Sequence, residues 1–106
     1  MERHLYVKAV LDHYRRTPGT LGHARPEDRR LAEILYDRGF SLEQVDAALL
    51  LAVVRRTFRP SDAAPLNPVR SLHYILPLLD EIRLNPLDPG YLQHLQSKLD
   101  RQARPN

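Results

Sequence analysis

The sequence predicts an all-α, single-domain bundle of about five helices packed around a central buried helix at residues 42–58. Three observations lead there. Apolar residues recur at helical spacing in separate stretches, capping and turn residues punctuate the gaps, and no segment alternates apolar with polar residues as a half-buried strand does. A chain of 106 residues makes one domain with a modest core. The expected layout is one domain over residues 1–106, with its core in 4–83, a C-terminal helix at 89–102 carrying a narrow apolar stripe, and a frayed tail at 103–106.

Taken in order, residues 5–16 place Tyr6, Val7, Val10, Leu11 and Tyr14 on one face and Lys8, Asp12 and Arg15 on the other, as a helix packed on one side requires. The segment Thr17-Pro18-Gly19-Thr20 then pairs a residue of fixed φ with one that tolerates positive φ, the recipe of a tight turn. Pro26 suits a first helical position, with Glu27 and Asp28 near the positive end of the helix dipole. Leu31, Ile34 and Leu35 give this second helix its buried stripe, and Gly39 stops it.

The central helix follows after a single residue, so helices two and three form a hairpin or a corner. Ser41 and Gln44 have the spacing of a capping box, and Phe40 and Val45 that of a hydrophobic staple. Leu42, Val45, Leu49, Ala52 and Val53 share one face, whereas Ala47, Leu51, Val54 and Phe58 share nearly the opposite one, so the helix is expected to be buried on both.

Pro60, Pro65 and Pro68 mark the next stretch as an ordered loop. Asn67 and Pro68 offer the cap and first residue of a fourth helix ending near Arg83, buried through Leu72, Ile75, Leu76, Leu78, Leu79 and Ile82. On that reading Pro77 falls mid-helix and costs about 3 kcal/mol unless the helix bends. Asp88 and Pro89 repeat the cap logic for a fifth helix with Tyr91, Leu92, Leu95 and Leu99 inward.

Composition narrows the functional classes. Without cysteine, neither a disulfide framework nor a thiolate metal site is available, and the cytoplasm is the expected compartment. The longest apolar run, Ala47 to Val54, is far below the roughly 20 residues that span a bilayer, and the opening stretch lacks a signal peptide's apolar region. Neither membrane insertion nor export is expected.

His4, His13, His23, His73 and His94 are scattered, no serine has nucleophile-elbow context, and no phosphate-binding glycine motif occurs. No enzyme, metal or cofactor is therefore expected. The formal net charge is only +3, but the basic residues are almost all arginine and cluster locally. Arg55, Arg56, Arg59 and Arg70 bracket the proline-containing loop with Asp62 as the one acid between Val54 and Arg70.

Two of these arginines complement the negative end of the helix dipole, a role worth about 0.3 to 1 kcal/mol each. Four of them, joined by Arg15 and Arg16 if the fold allows, make a candidate phosphate-contacting patch. Tyr74 lies one turn from Arg70 and is either a base-stacking ring or an aromatic at the core edge.

The stretch Ser71-Leu72-His73-Tyr74-Ile75-Leu76-Pro77-Leu78-Leu79-Asp80-Glu81-Ile82 resembles the end of the DnaD-like domain of bacterial and phage replication initiation proteins, with Tyr74, Ile75, Leu78 and Leu79 matching its motif. Ile82 stands where that family has an aromatic. Upstream, Tyr14, Gly19, Leu31, Leu35, Gly39, Val45 and Ala48 occupy comparable places. The resemblance implies a non-enzymatic helical module that binds single- or double-stranded DNA and contacts replication proteins within an assembly.

Together these readings lead to a nucleic-acid-binding accessory protein of replication or a mobile element, with DNA ahead of RNA as ligand. Its contacts would be Arg15, Arg16, Arg55, Arg56, Arg59, Arg70 and Tyr74. The alternative is a small helical protein–protein interaction subunit of a larger, nucleoprotein-type assembly, and a third is a small antitoxin-like or phage regulatory protein.

Overall fold

The computed structural model describes residues 1–60 and 62–103, and among these the regular elements are five α-helices and a 3₁₀ turn. They are α1 (Arg3–Arg16), α2 (Pro26–Asp37), α3 (Leu42–Thr57), the 3₁₀ turn Leu72–Ile75, α4 (Leu76–Leu84) and α5 (Pro89–Ala103). The expected all-α bundle is what forms. Among the described residues its only β-type contact is an isolated bridge between Thr20 and Val69. Of the tail expected to fray, Ala103 is the last residue of α5 and residues 104–106 lie outside the described residues.

α3 starts as its sequence dictates. The Gln44 amide donates to the Ser41 hydroxyl at 3.1 Å, and the Ser41 amide donates to the Gln44 side-chain oxygen at 2.9 Å. Val45, Ala47, Ala48, Leu49, Leu51 and Ala52 are buried, an arc of roughly 200° at about 100° per residue. Such a helix needs neighbours on several sides, and α3 packs against α1, the 3₁₀ turn, α4 and α5.

α1 buries all five residues of its apolar face and begins at Arg3, two residues earlier than the apolar pattern indicates, because the Glu2 carboxylate accepts from the His4 amide at 2.9 Å. α2 lies antiparallel to α1. Arg3 reaches Glu33 and Asp37 at its far end, and the Tyr36 hydroxyl donates to the Met1 carbonyl at 3.2 Å. Gly39, at φ +80°, closes α2 while the Phe40 amide donates to Leu35 O and the Gly39 amide to Tyr36 O, a Schellman pattern. The α2–α3 connection is thus a corner, with α1 packed against both helices.

Several expectations need correction, among them that Tyr91 and Phe58 face inward, since both are exposed. Ile34 is exposed and Ala32 is buried in its place, because the inward face of α2 is centred on Asp28, Leu31 and Leu35. The fourth helix does not start at Pro68. Residues 58–60 and 62–71 run without helix to Ser71, whose hydroxyl accepts from the His73 amide to start the 3₁₀ turn, and α4 begins at Leu76. Pro77 therefore sits in the first turn of α4, where a missing N–H costs nothing, and no kink is required. α5 starts where expected, with the Tyr91 amide donating to the Asp88 carboxylate, and adds Leu95 to the core.

Among the described residues Asp28 is the one fully buried charged side chain. One oxygen accepts from the Arg25 amide at 2.9 Å; the other accepts from the Leu72 amide at 2.9 Å and the Ser71 hydroxyl at 3.2 Å. Replacing Asp28 with Ala leaves these donors without their acceptor and is expected to cost about 3 kcal/mol. The check is urea denaturation, and a loss below 1 kcal/mol, within the range of one ordinary hydrogen bond, would contradict the role.

The hydroxyls of Tyr6 and Tyr14 are buried with no hydrogen-bond partner among the described residues. Burial, and then the Asp46 charge, pushes the Tyr6 phenol from 10.0 up to about 12. Burial also raises Tyr14, with Asp28 adding to the effect and Arg25 opposing it. The folded state holds both protons more tightly than the unfolded chain, so this contribution to stability is complete below about pH 10 and is lost as pH rises towards 12. Tyr6→Phe and Tyr14→Phe are expected to be neutral, or stabilising by up to about 1 kcal/mol, at pH 7 and to lessen the alkaline loss. Denaturation midpoints at pH 7 and above pH 10 measure both effects.

Candidate nucleic-acid interface

One end of the bundle gathers three segments: the α1–α2 turn, the last turn of α3 and the loop at 58–71. The turn is built from Thr17-Pro18-Gly19-Thr20, closed by Thr20 amide and hydroxyl bonds to Thr17 O, with Gly19 at φ +90°. The Val69 amide donates to Gly19 O at 2.6 Å and Val69 is buried, so the end of the loop is stitched to the turn. α1 and α3 run in the same direction. His13 meets Asp46 and, past the end of α1, Gly19 meets Arg56 of α3.

The predicted contact residues divide once placed. Arg55 donates through both terminal nitrogens to Glu81 of α4, at 2.9 and 2.6 Å. These hydrogen bonds hold the Glu81 carboxyl below its usual range. Arg15 pairs with Asp12 on its own helix, and the Arg16 Nε donates to the Asp12 carbonyl at 3.3 Å.

Arg56 crosses over Gly19, donates to the Asn67 carbonyl at 2.7 Å and places its guanidinium 5.6 Å from the centre of the Tyr74 ring. Arg59 donates to the Ala64 carbonyl at 2.8 Å. Arg70 is exposed beside the stitched Val69. Among the described residues, Arg16, Arg56, Arg59 and Arg70 have no carboxylate within 4.0 Å, whereas Arg15 and Arg55 do. Tyr74 keeps 45% of its surface exposed, so its ring faces solvent beside Arg56.

Two clefts open here. The smaller, about 350 Å³, lies between Pro18, the last turn of α3 and Pro65-Leu66, with Arg56 and Arg59 in its wall. The larger, about 740 Å³, is a groove between the C-terminal half of α1, α3 and α5. Leu49, Leu50, Val53 and Leu99 line it, Arg16, Gln96 and Asp100 add polar groups, and Pro18, Val53 and Thr57 belong to both clefts.

Sequence reasoning missed the His13–Asp46 pair of the larger groove, whose Nδ1 and Oδ1 are 2.6 Å apart. Its members stand 33 positions apart, each beside the apolar stripe of its own helix, and only the parallel packing of α1 on α3 joins them. No group of three or more metal-ligating side chains occurs among the described residues, and no described helix is long and apolar enough to cross a membrane. No family model, curated protein or solved structure matches the chain.

A Cβ built on Gly19 would stand 3.3 Å from Arg56 Nε in a left-handed backbone conformation, while one on Gly22, at φ +81°, would meet nothing within 4 Å. Gly22→Ala is therefore expected to cost the backbone strain alone, about 1 kcal/mol. Gly19→Ala carries that strain and also moves Arg56, so it should lower the urea midpoint further. Equal losses for the two variants would argue against the tight crossing of Arg56 over the turn.

Proposed function

We propose that the chain is a non-enzymatic nucleic-acid-binding module whose phosphate contacts are Arg16, Arg56, Arg59 and Arg70, with Tyr74 beside them. The observation that carries this reading is the meeting, at one end of the bundle, of the segments that bear these arginines, none of which has a carboxylate within 4.0 Å among the described residues. Arg56 and Arg59 each spend one hydrogen bond on a loop carbonyl. A guanidinium has five N–H donors, so each retains a charged fork for phosphate oxygens. Binding of this kind is electrostatic and largely independent of sequence. The resemblance at Tyr74, Ile75, Leu78 and Leu79 favours DNA and a replication or mobile-element setting in the cytoplasm, with partners in a larger assembly.

A second reading, a protein–protein interaction subunit, draws on the larger groove, whose apolar floor is open beside α5. A concentration-dependent mass in light scattering favours it, and a monomer at all concentrations counts against self-association.

Fluorescence anisotropy of labelled oligonucleotides across a salt series tests the first reading. The logarithm of affinity should fall linearly with the logarithm of salt concentration. Removing Arg56, Arg59 or Arg70 should flatten the slope by roughly 0.7 each on a single strand. Arg55→Ala should change it less, because Glu81 already engages that guanidinium, and Glu81→Gln should strengthen binding. Absence of binding at low salt would overturn the proposal.

A further inference from the structure

The smaller cleft pairs two features that a flat phosphate-binding patch does not need. Its volume of about 350 Å³ falls at the lower end of the roughly 300–1,000 Å³ occupied by small-ligand sites. Its wall also changes character along its length, from the guanidiniums of Arg56 and Arg59 to the apolar surfaces of Pro18, Val53, Pro65 and Leu66, with no acidic residue in the lining.

Leu66 keeps 45% of its surface exposed at the tip of a loop whose neighbouring carbonyls at Ala64 and Asn67 are held by Arg59 and Arg56. A large apolar side chain is thus held against solvent beside two cations. The chemistry that satisfies both is an apolar, flat group attached to an anion. In a nucleic acid that is a base with its phosphate.

We propose that this cleft takes one unpaired nucleotide of a strand, its base against Pro18, Pro65 and Leu66 and its phosphate on Arg56 and Arg59. This deepens the nucleic-acid reading and rests on it. A base in a duplex is covered by its stacking neighbours and engaged along its pairing edge, so it enters a walled cleft only after leaving the stack. The module therefore selects single-stranded over duplex nucleic acid, although duplex carries the denser phosphate charge. Apolar packing against Pro18, Pro65 and Leu66 tolerates any base, so the cleft adds strand selectivity without sequence selectivity.

The test compares three labelled oligonucleotides of equal length by anisotropy at one salt concentration: a single strand, the same strand with abasic tetrahydrofuran units replacing its nucleotides, and its duplex. The intact single strand should bind at least about tenfold more tightly than the other two, the effect of burying roughly two methylene-equivalents of apolar base surface. Leu66→Ala should remove most of that preference while leaving the salt slope unchanged. Its side chain lies outside the core, so circular dichroism should be unaltered. Equal affinity for all three ligands, with a steep salt slope, would overturn the cleft assignment and leave the electrostatic reading standing. No binding to any of them would overturn both.

Discussion

Asp28 has no exposed surface, yet its two oxygens accept from donors in two separate segments, the entry to α2 and the entry to the 3₁₀ turn. A carboxylate in that position tolerates no loss of partners, because an unpaired charge in the interior costs far more than the individual bonds return. Residues 25–28 and 71–72 are therefore held together. With Ser71 and Leu72 fixed, Val69 lies where its amide reaches Gly19 O, and the far end of the long loop is tied to the α1–α2 turn. The near end is the last turn of α3. The position of the cationic cluster thus depends on a buried anion that belongs to none of its arginines.

Between those two ends, the loop faces a shortage of backbone donors. Pro60, Pro65 and Pro68 have no N–H to give, and at the isolated bridge the Val69 amide donates outward to Gly19 O. Arg59 and Arg56 meet this need at Ala64 O and Asn67 O. The same bonds hold the guanidiniums in place, lowering the entropy that a long side chain loses when it grips a phosphate. On the proposed reading, structural and binding roles are not competitors: a fork that spends one donor on a loop carbonyl would be better ordered for a phosphate that meets the rest.

Where the fold was legible, local chemistry decided the outcome. The Ser41–Gln44 box, Pro26 at the start of α2, Gly39 at its end and the five inward residues of α1 depend on neighbours within a few positions. The misreadings arose where a distant partner intervened. Asp28 looked like a dipole-complementing surface acid until Leu72 and Ser71 arrived above it, and its burial turned α2 so that Ala32 faced in and Ile34 out. Pro68 looked like a helix start because Asn67 precedes it, but Val69 is spent on Gly19 and Ser71 supplies the effective cap. Of the candidate site, the arginine cluster was visible as composition. Its division by Glu81 and Asp12, and the His13–Asp46 pair, were not, since side-chain pairing between helices leaves no periodic trace.

Helical geometry makes that division sharp at the end of α3. Arg55 and Arg56 are adjacent in sequence but point about 100° apart, one towards α4 and one towards the loop. The Arg55–Glu81 fork is exposed and adds little stability, but it removes one cation from the field at this end. What remains is set by distance more than by total charge. Exposed charges separated by more than about 8 Å are largely screened at physiological salt, so acids elsewhere on the bundle do little to cancel a cluster assembled within a few residues. A net charge of +3 therefore understates the local potential, because Asp62 is the sole acid in the stretch that carries Arg56, Arg59 and Arg70. A weakly basic chain can present a more basic end when its fold gathers more arginines there than acids.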